Sequence, residues 1–189
     1  MMQDQVLQIR WHGRGGQGAI TAAKIVANAA FTSGYKGVVM IPTFGTERRG
    51  APVLTSLKLS KEKIYDLSPI TRPNIVVVLD HSLIEEVDVS SGLQSPGLVV
   101  VNSPLDPVAY NWADAQVATA DINSIAIQAG LPQGIVNTGI IGAFARASGL
   151  LEKDALLSAI EQEFEAKSPE KNSRAASIAY QNTLLGEIE

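Results

Sequence analysis

Hydrophobic and polar positions follow two regimes along this chain. Through roughly the first two thirds, short apolar runs are separated by glycine, proline and polar residues. Residues 6–11, 38–41, 75–79 and 98–101, with a weaker run at 117–120, each read as a buried strand. Residues 53–59 differ: Thr55, Leu57 and Leu59 alternate with Ser56 and Lys58, and that period of two predicts a half-exposed strand. Residues 17–34 are alanine-rich, and their polar members Gln17, Thr21, Lys24 and Asn28 fall on one stripe, which predicts a helix. Residues 60–74, with Pro69 and Pro73, read as a connection, and 83–87 as a short helix.

Beyond residue 120 the period becomes helical. Residues 121–130 and 137–149 end in glycine, and 152–166 place Leu156, Leu157, Ile160 and Phe164 on one face. Ser168-Pro169 has the form of an N-cap followed by proline at the first helical position. The helix it opens is expected to carry Ala176, Tyr180, Leu184 and Ile188 on one face. Strands alternating with helices early and helices dominating late predict an α/β fold: a single three-layer Rossmann-like domain over residues 1–189, with a mainly parallel sheet and helices on both faces.

Composition narrows the function. With 46% hydrophobic and 18% charged residues the chain is expected to fold, and its formal charge of −4 argues against nucleic-acid binding. The apolar runs fall far short of the ~20 residues that cross a bilayer, and the N-terminus has no long apolar stretch, so a cytoplasmic protein without membrane attachment is expected. Cysteine is absent. The chain therefore has no thiolate nucleophile and no thiolates to hold an iron–sulfur cluster. His12 and His81 are the only imidazoles, too few for a zinc site of nitrogen and sulfur ligands. A structural role is expected for both.

Two stretches stand out. The first is His12-Gly13-Arg14-Gly15-Gly16-Gln17-Gly18, between a predicted strand and a predicted helix. Its glycines allow close approach, and unpaired amides at a helix start favour an anion. Gly13-x-Gly15-x-x-Gly18 fits the dinucleotide fingerprint, but that pattern expects an acid about twenty positions on, at the end of the second strand. Here the second strand runs into Pro42 and Thr43, with no acid before Glu47. A P-loop fails because Ala19 and Ile20 follow Gly18. The second stretch is Glu47-Arg48-Arg49-Gly50, whose arginines suit bidentate contacts to phosphate or carboxylate. Loops at the carboxyl ends of neighbouring strands converge, so Arg14, Arg48 and Arg49 are expected to share one site. Gly13, Arg14, Gly15, Gly16, Gln17, Gly18, Glu47, Arg48, Arg49 and Gly50 form the candidate site. No catalytic residue and no metal ligand is expected in this chain.

Together, Gly13–Ala19 (GRGGQGA) and Pro42–Val53 (PTFGTERRGAPV) resemble the gamma subunit of 2-oxoacid:ferredoxin oxidoreductases, in particular the pyruvate branch. The resemblance covers nearly the whole chain. It implies a multi-subunit enzyme that converts a 2-oxoacid and coenzyme A to acyl-CoA, CO₂ and reduced ferredoxin. It further implies alpha, beta and delta partner subunits, with thiamine diphosphate and magnesium held by alpha and beta and iron–sulfur clusters by beta and delta. This chain would bind none of these cofactors alone. Absence of cysteine and of a Gly-Asp-Gly motif agrees with that division. The two loops then have two readings: docking on partner subunits, or contact with the pyrophosphate of coenzyme A. A free-standing nucleotide-binding or regulatory module, and the related indolepyruvate oxidoreductase beta chain, are the alternatives.

Overall fold

A computed structural model describes residues 6–42, 49–112 and 114–187. Its strands are β1 (Leu7–Arg14), β2 (Gly37–Pro42), β3 (Pro52–Ser60), β4 (Ile75–Val78), β5 (Gly97–Asn102), β6 (Ala115–Ala120) and β7 (Leu184–Leu185). The helices are α1 (Ala19–Thr32), α2 (Leu83–Glu86), α3 (Ile122–Gln128), α4 (Asn137–Ser148), α5 (Lys153–Glu163) and α6 (Pro169–Asn182). All seven strands join one sheet in the order β2-β3-β1-β4-β5-β6-β7. The β1–β4, β4–β5 and β5–β6 pairs are parallel, which gives the α/β fold expected. β3 runs antiparallel to both β1 and β2, and β7 antiparallel to β6. Among the described residues no helix is long and apolar enough to cross a membrane.

The layers are unequal. Odd-numbered residues of β1, such as Ile9 and Trp11, face a large core shared with α1, α3, α4, α5 and α6. Trp11 packs against Phe144 of α4 with ring centroids 5.4 Å apart, close enough for a tilted aromatic contact. Small residues let the helices crowd together. A Cβ on Gly142 of α4 would lie 2.1 Å from the carbonyl oxygen of Ala176 in α6, so the α4–α6 crossing tolerates only glycine there. The opposite face of the sheet is covered by α2, a 3₁₀ turn at Pro107–Ala109 and loops, with Val76, Val78, Val99 and Val101 meeting Leu83 and Val89.

β3 departs from expectation. Its alternation predicted one exposed face, yet Lys58, Ser56 and Ser60 are buried along with Leu57 and Leu59. The polar face is covered by the connection after it: Lys58 Nζ donates to the Asp66 carbonyl at 3.1 Å and to its carboxylate at 3.0 Å. A buried lysine is tolerable when its ammonium has such partners. The hydrogen bonds of Ser68, and then the Lys58 ammonium, hold the Asp66 carboxyl well below its ordinary value.

The C-terminal expectation also needs correction. Ser168 is the N-cap of α6 and Pro169 its first residue, as expected, but Ser168 adopts a left-handed conformation (φ 51°) and makes no side-chain cap hydrogen bond. Asn172 instead donates from Nδ2 to the Ser168 carbonyl at 3.0 Å. α6 ends at Asn182, so Leu184 leaves the expected helical face and enters β7. Ile188 lies outside the described residues.

Candidate functional site

β1 carries the first half of the glycine motif inside the sheet. His12, Gly13 and Arg14 are strand residues, and the chain leaves the sheet only at Gly15. Gly16 (φ 96°) and Gly18 (φ 79°) then take left-handed conformations, which reverse the chain into α1. Gly18 is the N-cap, without a side-chain cap. Glycine is needed at that position for a second reason: a Cβ would lie 2.9 Å from Nδ2 of Asn137, the first residue of α4. The starts of α1 and α4 therefore meet at Gly18.

The second candidate stretch reaches the same place. Because β3 is antiparallel to β1, Pro52 pairs with Arg14, and the residues just before it lie over the glycine turn. Gly15 N–H donates to the Ala51 carbonyl at 2.8 Å, and Gly50 N–H to the Gly15 carbonyl at 3.0 Å. Arg49 is exposed, with its Cγ 4.0 Å from the position a Cβ would take on Gly16. Gly13, Arg14, Gly15, Gly16, Gln17, Gly18, Arg49 and Gly50 are thus brought together. Glu47 and Arg48 lie outside the described residues.

Arg14 is turned inward to its own chain. Its guanidinium donates to Asp80 Oδ2 at 3.1 Å, to Ser82 Oγ at 2.7 Å, to the Gly50 carbonyl at 3.2 Å and to both oxygens of Glu86. Such charge-assisted bonds are the stronger kind. Gln17 closes the network: Arg14 N–H donates to Gln17 Oε1 at 2.8 Å, and Gln17 Nε2 donates to Asp80 Oδ2 at 3.0 Å. Burial opposes ionisation of Asp80, but the Ser82 and Gln17 hydrogen bonds and the Arg14 charge outweigh it and hold that carboxyl below its ordinary value. Hydrogen bonding to Arg14 lowers Glu86 likewise, and the Glu86 bond raises Arg14.

Asp80, Ser82, Glu86 and Asn137 join the candidate site, where the sequence reading placed none of them. Asp80 follows β4, whose carboxyl end lies beside that of β1, since Leu79 N–H donates to the His12 carbonyl. A charged residue immediately after an apolar strand was the available signal. Asn137 had none.

Behind the loop, on the polar face of β1, Arg10 and His12 are buried. Arg10 Nη2 donates to the carbonyls of Val89 at 2.8 Å and Ser91 at 2.7 Å, clamping that loop to the sheet. Arg10 Nε donates to His12 Nε2 at 3.1 Å, which requires a neutral imidazole. Burial, then the Arg10 charge, lowers the His12 pKa to about 4. This arrangement supports the structural role expected of His12.

The described residues gather no three His, Asp or Glu side chains in an arrangement that could hold a metal ion. A mostly parallel sheet with a glycine turn between its first strand and first helix defines a Rossmann-like domain. The pattern of the "Pyruvate ferredoxin/flavodoxin oxidoreductase" family matches residues 8–182. Pyruvate synthase subunit PorC of Methanothermobacter thermautotrophicus is 44% identical over 93% of this chain and 95% of its own. The pyruvate/ketoisovalerate oxidoreductases common subunit gamma of Pyrococcus abyssi is 42% identical over 97% of this chain and 100% of its own. The crystal structure of pyruvate oxidoreductase subunit PORC from Thermotoga maritima superposes with a TM-score of 0.83 at 30% identity, covering 97% of this chain and 99% of that one. The chain belongs to the pyruvate ferredoxin/flavodoxin oxidoreductase family, as a subunit of its gamma type.

Proposed function

We propose that this chain completes a 2-oxoacid:ferredoxin oxidoreductase, with pyruvate as the favoured 2-oxoacid, by supplying one wall of a site shared with alpha, beta and delta partner subunits. The overall reaction takes the 2-oxoacid and coenzyme A to acyl-CoA, CO₂ and reduced ferredoxin. An iron–sulfur cluster does not fit this chain, which has no cysteine thiolate to hold one. Thiamine diphosphate, magnesium and the iron–sulfur clusters are carried by the partner subunits in this reading.

The observation that carries docking as the role of the wall is the state of Arg14. Its charge is matched by Asp80 and Glu86 of the same chain, so it holds the two turns in shape and does not wait for an external anion. What faces outward is Arg49, beside the exposed Gly16 and Gly50. A surface of that kind suits a partner's carboxylates. A second reading, contact with the pyrophosphate of coenzyme A, is favoured by one feature: the start of α1 has no side-chain cap, and Arg49 lies by Gly16 in the turn that leads into it.

Arg49→Ala in the whole complex separates the two. Docking predicts loss of the gamma chain from the assembly, with the KM for coenzyme A unchanged in whatever complex remains. Coenzyme A contact predicts intact assembly and a raised KM for coenzyme A. An assembled enzyme with unchanged kinetics would falsify both.

A further inference from the structure

At the other end of the sheet from β2, an open groove of about 820 Å³ runs beside β6. Its floor is the buried Ala115 and Val117 of that strand. One wall is aromatic: Tyr110 and Trp112 lie parallel, with ring centroids 5.6 Å apart and 2° between their planes. Val108, on the same wall, is 85% exposed. Carboxylates mark the rim, from Asp106, Asp114 and Glu187, and no lysine or arginine is among the described lining residues. Beside the groove the sheet ends in the two-residue β7, whose Leu184 and Leu185 are both exposed.

Apolar floor, aromatic wall and acidic rim together describe an occupant. Cations are attracted to the faces of tyrosine and tryptophan, and an arginine or lysine stem also covers apolar surface. Carboxylates with no basic side chain beside them among the described lining residues select the same charge and repel a second copy of this acidic chain. We infer that the groove receives a basic, extended segment of a partner subunit, whose cationic side chains lie against the Tyr110–Trp112 stack and between the Asp106, Asp114 and Glu187 carboxylates. This inference rests on the reading of the chain as one subunit of a larger enzyme. It assigns that enzyme a second contact, at the opposite edge of the sheet from the hairpin that presents Arg49.

The test uses the complete complex with the triple variant D106N/D114N/E187Q. Asparagine can still cap the 3₁₀ turn that Asp106 caps, and it tolerates the left-handed backbone of Asp114 (φ 58°), so the fold is retained. Association of the gamma chain is expected to weaken about tenfold, and the salt dependence seen with the unaltered chain to flatten. A control with equal charge change on the helical face, E161Q/E165Q/E170Q, is expected to leave association unchanged. In the unaltered complex, amide hydrogen exchange of residues 107–112 and 184–187 is expected to slow relative to the isolated chain. Unchanged association of the groove variant, equal weakening by the control, dimerisation of the isolated chain through this groove, or undiminished exchange in an assembled complex each overturns the inference. If the unaltered chain joins no larger chains at all, the subunit reading fails first, and that outcome is recognised before any variant is compared.

Discussion

Arg14 shows how a residue singled out for binding can hold the site together instead. Its bonds to Asp80, Ser82, Glu86 and the Gly50 carbonyl join three segments that are distant in sequence. Arg14→Ala is therefore expected to speed hydrogen exchange at the Gly15 and Gly50 amides, leaving exchange in β5 unchanged. Gln17→Ala removes one acceptor and one donor of the same network and is expected to lower stability by about 1 kcal/mol in urea unfolding. His12 gives a pH prediction. Its folded pKa, about 4, lies below its unfolded value, so the unfolded chain binds the extra proton. The contribution is complete above about pH 6.5 and is lost as pH falls from there towards 4. Between pH 7 and pH 5 the unaltered protein is expected to lose about 2 kcal/mol more than His12→Gln, measured by urea unfolding at both pH values. The glycines and arginines were legible in the sequence because their pattern is local. Asp80 and Asn137 were not, because only the fold places them beside Arg14 and Gly18.

Among the elements, most positions followed from apolar runs and helical period, whereas β3 shows what period alone leaves open. Alternation identifies two faces but does not reveal what covers each. The connection after β3 buries the polar one and pairs Lys58 with Asp66. Strand direction was also hidden, since residues 53–59 read the same in a parallel or an antiparallel neighbour. The late helices carry a sharper constraint. Gly142→Ala would press a methyl group into the Ala176 carbonyl, and separating α4 from α6 is expected to cost about 3 kcal/mol, read from thermal or urea unfolding. Alanine is the better helix former, so a stabilised variant would show that the two helices part easily.

At the scale of the whole molecule, a chain without cysteine belongs to a family of ferredoxin-linked oxidoreductases. The purified chain alone is expected to show no pyruvate- and coenzyme A-dependent reduction of ferredoxin or a viologen dye, and activity is expected only with its partner subunits present. Activity of the isolated chain would overturn that division of labour. The antiparallel course of β3 has a further consequence. β2 ends and β3 begins at the same end of the sheet, so the segment that presents Arg49 is a hairpin connection and not a crossover. A crossover is tied to the layer it spans, while a hairpin connection can be rewritten or lengthened with every strand left in register. The freedom stops where the connection rejoins the sheet, because Gly50 and Ala51 are bound to Gly15 and Arg14; only what precedes them can change without disturbing the glycine turn.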